Sequence, residues 1–174
     1  MNSIERAFAA LAGRPCWGVR RGHGSFLTLE FGRPRLVVFE PRRAPNGASP
    51  KVRRSLARRH VFVRGQWHLW IYCCQWSLKV DGRVVGDWTT KPRVDRAARA
   101  LDGQRLLGIK IAPRGAGTTF IFDLGGELET KPYDRRSEQW RLFEPNHRVL
   151  TWRADRRFQH KASNRAASRL GWRR

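Results

Sequence analysis

Residues 66–78 read QWHLWIYCCQWSL, and the fold class turns on what kind of strand they form. Side chains of an extended chain alternate faces with a period of two. One face then carries Trp67, Leu69, Ile71, Cys73 and Gln75, and the other His68, Trp70, Tyr72, Cys74 and Trp76. A half-exposed strand would alternate apolar with polar residues. This one is aromatic or apolar on both sides, so the pattern predicts one long central strand in a sheet covered on both faces. The competing reading is a pocket walled by Trp70, Tyr72 and Trp76, whose rings combine apolar bodies with polar handles.

Outward from this stretch, short period-2 runs dominate. Toward the N-terminus lie 16–21, SFLTLEF (25–31) and PRLVVFE (34–40). In SFLTLEF, Leu27, Leu29 and Phe31 take one face and Thr28 and Glu30 the other. Toward the C-terminus, Asp81-Gly82 signals a hairpin. Leu107, Ile109 and Ile111 alternate in one strand, TTFIFDLGGELET turns at Gly125-Gly126, and EQWRLFEP, RVLTWR and RRFQH complete a meander. Helices are expected near 3–12, capped by Asn2 or Ser3, and near 92–102, where Val94, Ala97, Ala98 and Leu101 share a face and Gly103 closes the run. The count is ten or eleven strands. The fold class expected is mainly β (α+β): a single antiparallel β-sandwich, half-open barrel or bent sheet with two or three short helices. Residues 1–160 read as one β-rich domain, with a basic insert at 42–59, and residues 161–174 as a basic C-terminal tail.

Charge is the strongest compositional signal. The 174 residues hold 36 Lys and Arg against 14 Asp and Glu, a net charge of +22. Only six of the 36 are Lys, an Arg bias that a GC-rich genome also produces. The charge is nevertheless uneven. No carboxylate occurs between Glu40 and Asp81, and the insert carries Arg42, Arg43, Lys51, Arg53, Arg54, Arg58 and Arg59. The tail carries Lys161, Arg165, Arg169, Arg173 and Arg174. Such a field favours an anionic partner. The insert breaks the strand pattern as a long loop, in which Ser49-Pro50 can start a short helix with Val52 and Leu56 on one side.

No apolar run approaches the length of a membrane span, and the N-terminal stretch reads as a helix of the mature protein rather than a signal, so a cytoplasmic chain is expected. Three cysteines (Cys16, Cys73 and Cys74) are too few for a disulfide framework. The hairpin WHLWIYCCQWSLKVDG, the helix end ALDGQRL, the hairpin TTFIFDLGGELET and the run EQWRLFEPNHRVLTW together resemble uncharacterised small bacterial β-rich proteins, a domain-of-unknown-function type likened to immunity proteins of toxin systems. The resemblance covers residues 13–160 and implies a β-rich fold. It carries no catalytic residues, and the insert and tail lie outside it.

Chemistry-bearing motifs are sparse. There is no phosphate-binding P-loop and no nucleophile elbow. RGHGS (21–25) is a turn, with a phosphate-gripping loop around His23 as the alternative. No pair among the five histidines has metal-ligand spacing, so no metal or other cofactor is expected; a site assembled in space from His60, His68 and Cys74 is the alternative. Asp87 and Asp123 are the carboxylates of interest. Asp123 sits among apolar neighbours, where burial would raise its pKa, or else it caps the following turn or pairs with an Arg. With no nucleophile–base pair in view, the chain reads as a binding module rather than an enzyme, an unrecognised catalytic site being the minor alternative. The expected anion-binding residues are Arg42, Arg43, Arg53, Arg54, Arg58, Arg59, Arg169, Arg173 and Arg174, with nucleic acid as one partner class and an acidic protein as the other. A pocket, if present, would hold Trp70, Tyr72, Trp76 and Asp123.

Overall fold

The structure is a computed structural model and describes residues 3–113 and 116–162. Helices α1 (Ser3–Ala9), α2 (Pro50–Leu56) and α3 (Lys91–Leu101) accompany three antiparallel sheets. Six strands form the first, in the order β1 (Cys16–Arg21), β2 (Leu27–Phe31), β5 (Trp67–Ile71), β11 (Glu138–Phe143), β12 (Arg148–Arg153) and β13 (Phe158–Ala162). Five form the second: β7 (Arg83–Asp87), β6 (Cys74–Val80), β10 (Gly126–Pro132), β9 (Thr118–Phe122) and β8 (Leu106–Ile111). The third is a two-stranded ribbon, β3 (Arg35–Phe39) with β4 (His60–Arg64). The fold is mainly β, a β-rich α+β sandwich in which no sheet closes into a barrel.

The aromatic stretch therefore does not run as one strand. Its first half lies in the six-stranded sheet and its second half in the five-stranded one. The break is Cys73, at φ 52°, in the left-handed region. One residue in that conformation shifts the alternation. Leu69 and Ile71 face the core before it, and Cys74, Trp76 and Leu78 face the same core after it. This corrects the two-face reading, which grouped Trp76 with Trp70.

The shared core joins the two sheets directly. Trp140 of β11 packs edge-on against Phe8 of α1 at 5.3 Å and against Phe120 of β9 at 6.0 Å. Its indole N–H donates to Thr118 Oγ1 at 3.0 Å. Buried Gln139 donates from Nε2 to the Ala116 carbonyl, while its Oε1 accepts from Thr130 Oγ1. The amphipathic stripe Val94, Ala97, Ala98 and Leu101 is buried as its spacing requires. Gly86 of β7 lets α3 approach, since a Cβ there would stand 2.3 Å from the Arg93 carbonyl.

Local chemistry explains the turns. Asp81 and Gly82 both have positive φ, 49° and 76°, the geometry of a tight hairpin turn. Ser49 Oγ accepts from the Val52 N–H and caps α2, with Pro50 in the first turn. Two further expectations change. A bulge between Leu106 and Gly108 leaves Leu106 buried and Leu107 exposed, so Leu107 does not share the inner face with Ile109 and Ile111. Lys161 and Ala162, read as the start of the tail, belong to β13. Among the described residues no helix is long and apolar enough to cross a membrane.

Candidate functional site

The insert is the middle of an arm built from the β2–β5 pair. Phe31 pairs with Trp67 at the end of β2 and β5, and the two chains then continue as β3 and β4, with Arg35 opposite Arg64 and Phe39 opposite His60. Glycines mark the break between sheet and arm. A Cβ on Gly65 would stand 2.4 Å from the Phe31 carbonyl, and Gly32 has φ 76°. Helix α2 folds back over the tip, where the Arg42 N–H donates to the Leu56 carbonyl and His60 Nε2 donates to the Ser55 carbonyl at 2.7 Å. The site therefore has a tip of ordered helix where the sequence shows mostly loop chemistry.

Of the basic residues expected to bind anions, Arg42, Arg43, Arg53, Arg54 and Arg58 are exposed, as is Lys51, and none has an ion-pair partner among the described residues. Arg59 differs, because its guanidinium lies 2.8 Å from Glu40. Residues 35–64 hold nine Lys and Arg against the single carboxylate Glu40. Arg169, Arg173 and Arg174 lie outside the described residues.

The ribbon has two unlike faces. Arg35, Val37 and Phe39, with Arg64, turn toward the outer face of the six-stranded sheet and enclose a cavity of about 40 Å³ with His68, Phe143 and Glu144. The opposite face holds Leu36 across from Val63 and Val38 across from Val61. These four side chains are 68, 47, 42 and 53% exposed respectively.

A buried carboxylate fastens the arm to the sheet. Glu30 of β2 is buried although its strand alternates as if that face met water. Its Oε2 accepts from the Gly65 N–H at 2.9 Å, and its Oε1 accepts from Arg64 Nη1 at 2.8 Å. His68 Nδ1 lies 2.9 Å from the same Oε1, and Arg20 Nη2 lies 3.6 Å away. Burial pushes the Glu30 pKa up, but His68, the Gly65 amide and Arg64 outweigh it and hold Glu30 below the ordinary carboxylate value. Burial lowers the His68 pKa, assisted by the nearby Arg64 and Arg20, and outweighs the opposing pull of Glu30. The pair is thus a carboxylate beside a neutral imidazole. The second imidazole nitrogen, Nε2, accepts the Trp70 indole N–H. Nδ1 beside Glu30 and Nε2 on Trp70 place the Glu30–His68 pair at a structural hub that joins β2, β5 and the base of the arm. Sequence reading missed Glu30; the available signal was a lone acid in an apolar strand, which alternation alone assigns to solvent.

This hub makes acid destabilising. Below His68's ordinary value of 6.5, the unfolded chain takes up a proton that the folded chain resists. Stability should fall as pH drops through that value. It should fall further below Glu30's ordinary 4.5, because the depressed carboxylate must then be protonated. Urea midpoints from neutrality down to about pH 4 check this, and His68→Gln should flatten the upper part of the curve. A parental midpoint that stays level as the pH falls through 6.5 would contradict the burial of neutral His68.

The other residues of interest disperse. Trp70 is half-buried on the outer face of the six-stranded sheet, edge-on to Phe143 at 5.1 Å and to Tyr72 at 6.3 Å. Tyr72 donates to Glu138, and the Arg141 guanidinium lies over its ring at 5.3 Å. Trp76 is in the core, its indole N–H donating to the Ser25 carbonyl. Asp123 is exposed, accepting from the Arg105 N–H at 2.8 Å with the Arg105 guanidinium 4.0 Å away, so of the two readings the Arg pair holds and the buried acid does not. The four do not meet in one pocket. Asp87 accepts from Thr89 and Arg93 at the entry to α3, and Arg93 holds it down to about 2. His23 lies in a plain β1–β2 turn closed by the Phe26 N–H on its carbonyl. His60 bonds Ser55, His68 lies beside Glu30, and Cys74 Sγ faces the Gln139 carbonyl in the core, so these three have separate surroundings. Against this geometry, no family model, no curated protein and no solved structure matches the chain.

Proposed function

We propose that the chain is a binding module for an anionic partner, gripped by the β3–α2–β4 arm. The observation that carries this reading is the set of exposed cations on and around α2 without carboxylate partners among the described residues. A fold that merely tolerated its Arg content would scatter those side chains or pair them. Here they crowd one ordered projection, and such crowding raises the local concentration of an anion and speeds its encounter. Both expected partner classes, nucleic acid and acidic protein, present the negative charge required. The free thiols of Cys16, Cys73 and Cys74 suit a reducing compartment, and the same reading places the protein in the cytoplasm.

Neutralising three arm residues separates local from overall charge. The Arg53→Gln, Arg54→Gln, Arg58→Gln variant should elute from heparin at clearly lower salt than the parent. A control of equal net charge, Arg83→Gln, Arg96→Gln, Arg99→Gln, should elute near the parent. On single-stranded polythymidylate, the log–log salt slope of the arm variant should be shallower by roughly 2, at about 0.7 per lost contact. Melting temperatures should hardly move, because exposed charges contribute little to folding. Equal losses in the two variants would reduce the arm to one part of a uniformly basic surface.

A further inference from the structure

We infer that the anionic partner is an acidic protein surface bearing aliphatic side chains, docked on the outward face of the β3–β4 ribbon. This rests on the anion-binding reading of the arm and adds the class of partner. Leu36, Val38, Val61 and Val63 form two directly opposed cross-strand pairs and are all exposed. The opposite ribbon face meets the sheet through Val37, Phe39 and Arg64, although its Phe62 stays exposed, so the outward face is not needed to complete the core. Contiguous exposed aliphatic side chains gain by contact only with other apolar surface. Nucleic acid offers them little, since its accessible surface is phosphate, sugar and polar base edges, with the thymine methyl as the main exception. A protein surface offers both kinds of contact at once.

Charge complementarity selects which protein. The face continues from Val38 and Val61 into the exposed Glu40–Arg59 pair and then meets the cations around α2, which have no ion-pair partner among the described residues. A second copy of this chain would bring another nine cations with one carboxylate against the first, so self-association is opposed by like charge. An acidic patch beside an aliphatic one matches the sequence of chemistry along the arm. The apolar contacts would set affinity and the cations would set orientation and encounter rate.

The test uses three labelled probes of matched length and charge: an alternating Glu-Val peptide, an alternating Glu-Ser peptide, and a single-stranded oligonucleotide. Fluorescence anisotropy should show the parent binding Glu-Val about tenfold more tightly than Glu-Ser, with the oligonucleotide no tighter than Glu-Ser. In the Val61→Thr, Val63→Thr variant, which keeps shape and strand preference, the Glu-Val excess should vanish while Glu-Ser affinity stays parental. A parental melting temperature shows that the variant is folded. Equal parental affinity for the two peptides, or preference for the oligonucleotide, overturns the docking face and leaves the anion-binding reading standing. No binding of any probe at low salt overturns both.

Discussion

Glu30→Ala should destabilise the fold by about 3–5 kcal/mol, the range for removing one member of a buried charged network. The loss arises mainly from what remains. The Gly65 N–H and His68 Nδ1 both face the missing carboxylate and are shut away from water. Arg64 is better placed, since its side chain is 23% exposed and can turn toward solvent. Glu30→Gln retains the shape and one acceptor, so its cost should be smaller. Urea unfolding at neutral pH, where the carboxylate is ionised, measures both. A cost below about 1 kcal/mol for the alanine variant, the scale of an exposed pair, would show that water reaches the arm's base. The network is also the arm's attachment, so proteolysis near residues 40–59 should quicken in the same variant.

Trp140→Ala should cost a similar amount, about 3–5 kcal/mol, for a different reason. Its ring is fully buried between the sheets, stacked on Trp152 at 6.3 Å and touching Phe8 and Phe120. Truncation opens a cavity bordered by both sheets and α1, and neither sheet can collapse into it without shifting its own ladder. The Thr118 hydroxyl also loses its indole donor. Trp70→Ala should cost distinctly less, because that ring is half-exposed on the outer face. Thermal melts of the two variants side by side give the comparison. A Trp70 variant at least as unstable as the Trp140 variant would mean that the outer face is as tightly packed as the core.

The limits of the sequence are visible at particular residues. Asp81-Gly82, Ser49-Pro50 and the Val94–Leu101 stripe each encode their structure within a few positions, and each is where the chain predicts it. Residues 66–78 are harder. A period of two says that neighbours face opposite ways, but not where a left-handed residue such as Cys73 resets the count or that the two halves join different sheets. Glu30 is harder still. Its burial depends on Arg64 and Gly65, 34 and 35 residues away, reaching across its strand. For the candidate site, the cations around α2 were legible as a charge run. The aliphatic outward face was not, because PRLVVFE and HVFV read equally well as strands with either face buried.

The arm also bears on how the chain finds its register. Pairing Phe31 with Trp67 directly would close a loop of about 35 residues, each doubling of loop length adding about 0.6 kcal/mol of entropic cost. Once β3 and β4 have paired and α2 has closed their far end, only Gly32 to Pro34 and Gly65 to Gln66 separate that ladder from β2 and β5. The remaining closure spans only a few residues, a saving of about 2 kcal/mol on the Jacobson–Stockmayer scale. On this argument the projection proposed to bind the partner would also act as the zipper from which the centre of the six-stranded sheet propagates. Substitutions that loosen ribbon pairing would slow folding, even where they leave the finished surface unchanged.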